Sequence, residues 1–132
     1  MKAIRNYPAL AVVCGLLLAG AVFAQNPGIK RTVVQQGDVS FPGHEAIIAH
    51  VEIAPGASAG RHTHFGEEIS YVIDGEGEVL ISGQPPRKIK AGDGFIIPAG
   101  AIHDAHNTGS KPLVLAAVYY VEKGKPLATP AP

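Results

Sequence analysis

From residue 25 onward the chain alternates apolar and polar residues in short runs, and glycine or proline interrupts them about every eight to twelve residues. Thr32–Gln36 reads as a short strand. Ala46–Ile53 is rich in β-branched residues and stops at Pro55-Gly56, so it reads as a strand closed by a turn. Arg61–Phe65 and Glu68–Ile73 form two short strands around Gly66, and Asp74-Gly75-Glu76-Gly77 is a hairpin turn. Glu78–Ser82 returns as a strand, Gly83–Pro86 turns it, and Arg87–Lys90 alternates charged and apolar residues as an exposed-face strand does. Ala91–Gly94 is a further turn. Phe95–Pro98 and Ala101–His106 are strands separated by Ala99-Gly100. Leu113–Val121 is continuously apolar, which fits a strand buried on both sides or set at an interface. No helical period holds over ten residues beyond residue 24. Many short strands with regular turns predict an all-β antiparallel sandwich or barrel.

The ends differ from this pattern. Lys2 and Arg5 precede an apolar run, Ala9–Gly20, and Val22-Phe23-Ala24 supplies small residues before Gln25. That order reads as a Sec-type secretory signal over residues 1–24, with a periplasmic or secreted product. The apolar run is shorter than the about 20 residues of a membrane span, so no stable span is expected after cleavage. Left uncleaved, it would serve as an anchor. Residues 25–40 read as a leader, mobile to about Arg31, followed by the short strand; 41–121 carries the domain. Residues 122–132, rich in Lys, Pro and Ala, read as a disordered tail.

Composition narrows the partners. The chain carries 11 basic and 11 acidic residues, and cleavage removes Lys2 and Arg5, leaving a net charge of about −2. Without a basic surplus there is nothing to neutralise phosphates, which argues against nucleic acid. The single cysteine, Cys14, lies in the signal, so the exported part has no disulfide and depends on its core. Homodimerisation through the 113–121 strand or the N-terminal strand would add to that core.

Four residues carry candidate chemistry: His62, His64, Glu68 and His103. Three imidazoles and a carboxylate can hold a divalent transition metal and leave positions open. Strand alternation puts His62 and His64 on one face, about 7 Å apart. The turn at Phe65-Gly66-Glu67 brings Glu68 back beside them, and a closed sheet can bring His103 to the same interior. Glu67 and His106 fall on the opposite face by parity. His44 and His50 have no ligand spacing, Asn107 is expected to hold a turn, and Tyr71 to pack. Ser70, Phe95, Ile97 and Ala105 are candidates for lining a pocket. The predicted barrel wall, Ile69 or Ser70, Val72, Ile96 or Ile97 and Val118, is apolar and suits a small, weakly polar ligand. Arg61 and Lys90 are the only basic candidates near its mouth.

These residues sit in two spaced motifs. The first runs Gly56, five residues, His62-x-His64, three residues, Glu68, six residues, Gly75. The second runs Gly92, five residues, Pro98-x-Gly100, two residues, His103, three residues, Asn107. Both resemble the two cupin signature motifs without a departure, over about residues 41–121, and the short gap between them is that of compact single-domain bacterial cupins. The resemblance implies a double-stranded β-helix, a jelly-roll barrel of antiparallel strands. It also implies one metal at its centre (Fe, Mn, Ni, Zn or Cu), with His62, His64, Glu68 and His103 as ligands. Small cupins resembling quercetin dioxygenase use such a centre with O₂, and there Glu68 can also act as a base. The same ligand set serves a metal-dependent isomerase or lyase, or a periplasmic module that binds a small molecule without turnover.

Overall fold

The structure, a computed structural model, describes residues 26–132. The expected signal lies outside the described residues. Within them there is no helix and there are ten strands: β1 Ile29–Asp38, β2 His44–Ile53, β3 His62–Thr63, β4 Gly66–Asp74, β5 Glu76–Ile81, β6 Arg87–Lys90, β7 Gly94–Ile97, β8 His103–His106, β9 Leu113–Glu122 and β10 Thr129–Pro130. They form two five-stranded antiparallel sheets, ordered β1-β2-β9-β4-β7 and β10-β3-β8-β5-β6. This is the all-β double-stranded β-helix that the motifs imply.

The core lies between the sheets, and the period-2 pattern builds it. In β2, Ile47, Ala49, Val51 and Ile53 point inward and stand opposite Tyr119, Ala117, Leu115 and Leu113 of β9. Val72, Val79, Ile89, Phe95 and Ile97 complete the cluster from both sheets. Leu113–Val121 is therefore buried on one face, while its alternate residues Val114, Ala116, Val118 and Tyr120 are half-buried on the outer face.

The chain passes from one sheet to the other at Gly66, where β4 begins its antiparallel pairing with β9. A Cβ placed there would come within 2.0 Å of the Tyr120 carbonyl oxygen, so any other residue would drive the strands apart. Gly75 turns the chain at φ 84°, and a Cβ there would lie 2.4 Å from the Pro112 carbonyl oxygen. Asn107 is fully buried and holds the turn expected of it. Its Nδ2 donates to the Ile53 and Lys111 carbonyls at 2.8 Å each, and its Oδ1 accepts from the Gly109 N–H at 2.9 Å.

Both ends of the domain are more ordered than their composition predicts. β1 begins at Ile29, inside the stretch expected to be mobile, and pairs along most of β2 with a bulge at Val34. The tail expected to be disordered instead returns to the barrel, where Thr129 and Pro130 pair with Thr63 and His62. The physical reason is that β10 is an edge strand, where proline's missing N–H costs no ladder bond. Pro126, Pro130 and Pro132 also leave the unfolded segment fewer conformations to lose.

Candidate metal centre

β3 and β8 place His62 and His103 directly opposite each other. His64 follows one residue past β3, and Glu68 enters from β4 in the other sheet. All four side chains are buried, and one potential ligand atom from each lies within 4.8 Å of the others. The imidazole centroids are 4.2 Å apart for His62–His103, 4.8 Å for His62–His64 and 5.0 Å for His64–His103. Glu68 Oε2 is 3.0 Å from His64 Nε2 and 3.3 Å from His103 Nε2.

The hydrogen bonds behind the rings decide which nitrogen faces inward. His62 Nδ1 is 2.6 Å from the Gly60 carbonyl oxygen, His103 Nδ1 is 2.9 Å from that of Ala101, and His64 Nδ1 is 2.5 Å from that of Leu127. A carbonyl only accepts, so each Nδ1 carries the proton and each Nε2 is turned to the centre. The Nε2 atoms of His62 and His103 are buried without a hydrogen-bond partner. Buried polar atoms are rarely left so, and donors converging on one point are what a metal ion satisfies. The four residues fit a divalent metal.

Charge agrees with this. Burial, with the neighbouring His103 and His64 adding to it, lowers the His62 pKa to about 4, so that ring is neutral and able to ligate at neutral pH. Burial alone would raise Glu68. The neighbouring His103 and His64 rings and the Ser70 hydroxyl outweigh it and hold the carboxyl well below the usual range, and Ser70 Oγ donates to Glu68 Oε1 at 2.6 Å.

A cavity of about 20 Å³ adjoins the centre, with room for about one water. His62, Glu68, His103, Phe95, Tyr119 and Arg31 are among its walls. Phe95 and Ala105 line it as expected. Ser70 instead supports Glu68 from behind. Ile69 and Ile96 stand on the outer face, 46% and 62% exposed, and Val118 stands there with them, because parity assigns the inner positions to Glu68, Ser70, Phe95 and Ile97. Tyr71 is likewise an exposed outer-face residue, 54% accessible, and not a packing one. His106 and Glu67 lie outside the four-residue group.

The basic residue at the cavity is Arg31, not Arg61 or Lys90. Arg31 stands opposite inward-facing Val51 in the β1–β2 register, and its Nε donates to the Tyr119 hydroxyl at 3.2 Å. Arg61 is exposed and bonded to the Pro132 carbonyl oxygen, while Lys90 lies on β6 away from these walls. Burial, reinforced by the charge of Glu68, raises the Tyr119 phenol pKa far above its ordinary value, so the phenol stays protonated. The signal for both residues was alternation: Ile29-x-Arg31 and Leu115-x-Ala117-x-Tyr119 each set one face inward.

Residues 49–125 match the cupin domain family, and the chain belongs to that family. It is 40% identical over 73 residues to an oxalate-binding protein of Thermotoga maritima, a match spanning 54% of this chain and 60% of that protein. It is 36% identical over 58 residues to the dimethylsulfoniopropionate lyase DddQ of Ruegeria pomeroyi, spanning 44% of this chain but 28% of the lyase. The matches thus cover less than two thirds of either relative. The crystal structure of that lyase superposes with a TM-score of 0.57 at 28% identity, over 65% of this chain and 43% of the lyase. A cupin-like protein of Thermotoga maritima superposes with a TM-score of 0.66 at 20% identity, over 83% and 87% of the two chains, a likeness of fold alone.

Proposed function

We propose that this cupin binds one divalent transition metal through His62, His64, Glu68 and His103 and uses it to bind a small carboxylate-bearing molecule. The observation that carries the first half is the set of three backbone-fixed imidazoles whose Nε2 atoms converge beside a carboxylate. The second half is supported by Arg31 and a protonated Tyr119 at the same cavity. A guanidinium and a phenol offer an anion charge-assisted hydrogen bonds beside the metal's open positions. Oxalate and dimethylsulfoniopropionate, named in the two relatives, both carry carboxylates. Glu68, held ionised by the His103 and His64 rings and the Ser70 hydroxyl, suits ligation better than proton abstraction.

Calorimetric titration of oxalate into metal-loaded protein tests this reading. Saturable binding to the loaded protein and none to the metal-free protein is expected, and binding indifferent to metal would overturn it. Charge-assisted bonds contribute about 1.5–3 kcal/mol, so Arg31→Ala weakens oxalate roughly 10- to 100-fold. Arg31→Lys recovers only part, because an ammonium has no fork. The dioxygenase reading rests on the same four donors, and oxygen consumption by the iron-loaded protein with phenolic and diketone substrates distinguishes it from binding or lyase chemistry.

The proposal extends to export and to self-association. The charge–apolar–small order of residues 1–24 supports periplasmic delivery, checked by finding a mature chain that starts at Gln25. A second copy would cover the outer face of the larger sheet. There Ile48, Val118, Ile69 and Ile96 form one apolar row across β2, β9, β4 and β7, with Tyr71 and Ile73 beside it. Contiguous apolar patches of this kind mark interaction faces.

A further inference from the structure

The three imidazoles are not held in the same way. His62 and His103 each bond the carbonyl two residues earlier in the chain, Gly60 and Ala101. Those acceptors come with the strand that carries the ring. His64 instead bonds the carbonyl of Leu127, 63 residues away. Its orientation is set by a segment that no signature motif includes.

That segment is fastened to the residues beside His64 and to little else nearby. β9 ends where the Glu122 N–H donates to the Phe65 carbonyl at 2.9 Å. The chain then turns back along residues 61–64. Thr129 and Pro130 pair with Thr63 and His62, the Ala131 N–H donates to the Arg61 carbonyl at 3.0 Å, and Arg61 Nε donates to the Pro132 carbonyl at 2.6 Å. Leu127 packs against the core and so fixes the height of its carbonyl. Two of the four potential ligands thus lie on a stretch gripped from outside by this one segment. β3 itself spans only His62 and Thr63, and its sole register partner in β8 is His103 opposite His62, so it has little pairing of its own.

We infer that residues 126–132 are a positioning element of the metal centre, acting by holding the His64 ring through the Leu127 carbonyl and by supporting β3 as an added edge strand. The inference rests on the metal-binding reading above. Groups that orient a ligating histidine from behind typically govern affinity by about 10- to 100-fold, because they fix both tautomer and ring direction.

The test compares the full chain with one ending at Lys125. Metal affinity is measured by competition with a chromophoric chelator, using Zn(II) and Co(II). Histidine ring nitrogens are followed by ¹⁵N NMR in the metal-free proteins. We expect affinity to fall about 10- to 100-fold. We also expect the His64 Nδ1 resonance to move while those of His62 and His103, whose acceptors Gly60 and Ala101 remain, stay in place. Equal affinity, or equal movement of all three rings, would overturn the inference. If the shortened chain loses its β-sheet circular dichroism, Ala131→Pro carries the test instead. It removes one N–H of the grip and keeps the chain length, and it is expected to weaken metal several-fold with the same selective shift at His64. A full chain that takes up no metal would sink the metal-binding reading. The His64 shift in the metal-free proteins would still decide the role of the segment.

Discussion

At the scale of the residue, the site separates histidines by what stands behind them. His62, His64 and His103 each have a carbonyl at Nδ1, whereas His106, close by in sequence, is outside the cluster. His64→Ala should therefore lower metal affinity by more than the roughly 100-fold that losing an orienting partner costs, while His106→Ala leaves it unchanged; metal content after dialysis reads both. Acid acts on the same residues. The His62 pKa is about 4 in the fold against an ordinary 6.5, so between those values the unfolded chain takes up a proton that the folded chain refuses. Glu68 is depressed too, and its contribution is lost as pH falls below its ordinary value of 4.5. Both effects have one sign. The melting temperature of the metal-free protein should fall steadily from pH 7 to pH 4, and a flat profile would show that neither is the ring desolvated nor the carboxylate stabilised by its neighbours as described. The four candidate ligands were legible in the sequence because strand parity and two glycine-framed motifs constrain them jointly. Arg31 and Tyr119 were not: alternation marks each as an inward position, but Arg31 fell in the stretch read as a leader and Tyr119 lies in a continuously apolar run where parity alone does not single out one face.

At the scale of the element, most strands could be read from alternation and turn residues, and the errors fall where pairing overrides composition. Glycine, proline and lysine in 122–132 lower intrinsic order, yet an open edge at β3 gives the segment a backbone to pair with. β1 was foreshortened in the same way, because its polar residues face solvent while β2 supplies the register. Conversely, the crossing glycine was visible as a turn residue, but its reason is tertiary. Gly66→Ala should cost at least about 3 kcal/mol, the upper end of what overpacking costs, since the obstacle is the Tyr120 backbone and cannot rotate away. Urea denaturation of the metal-free protein measures this, with Gly83→Ala as a comparison where a Cβ meets open space but keeps the strain of φ 81°.

At the scale of the whole molecule, one sheet carries an apolar row on its outer face. The row Ile48–Val118–Ile69–Ile96 crosses four strands of the larger sheet. On the proposed self-association, Ile96→Glu should shift the protein toward monomer in sedimentation equilibrium without loss of metal, because Ile96 points away from the site. An unchanged mass at low protein concentration would remove this face as the contact.

The crossing at Gly66 has a mechanical consequence. It assigns His62 and His103 to one sheet and Glu68 to the other, so an ion held by all of them would rivet the two layers across their shared interior. Releasing the ion and letting the layers breathe then become motion along one coordinate. The exchange rate of such an ion would report how often the layers part.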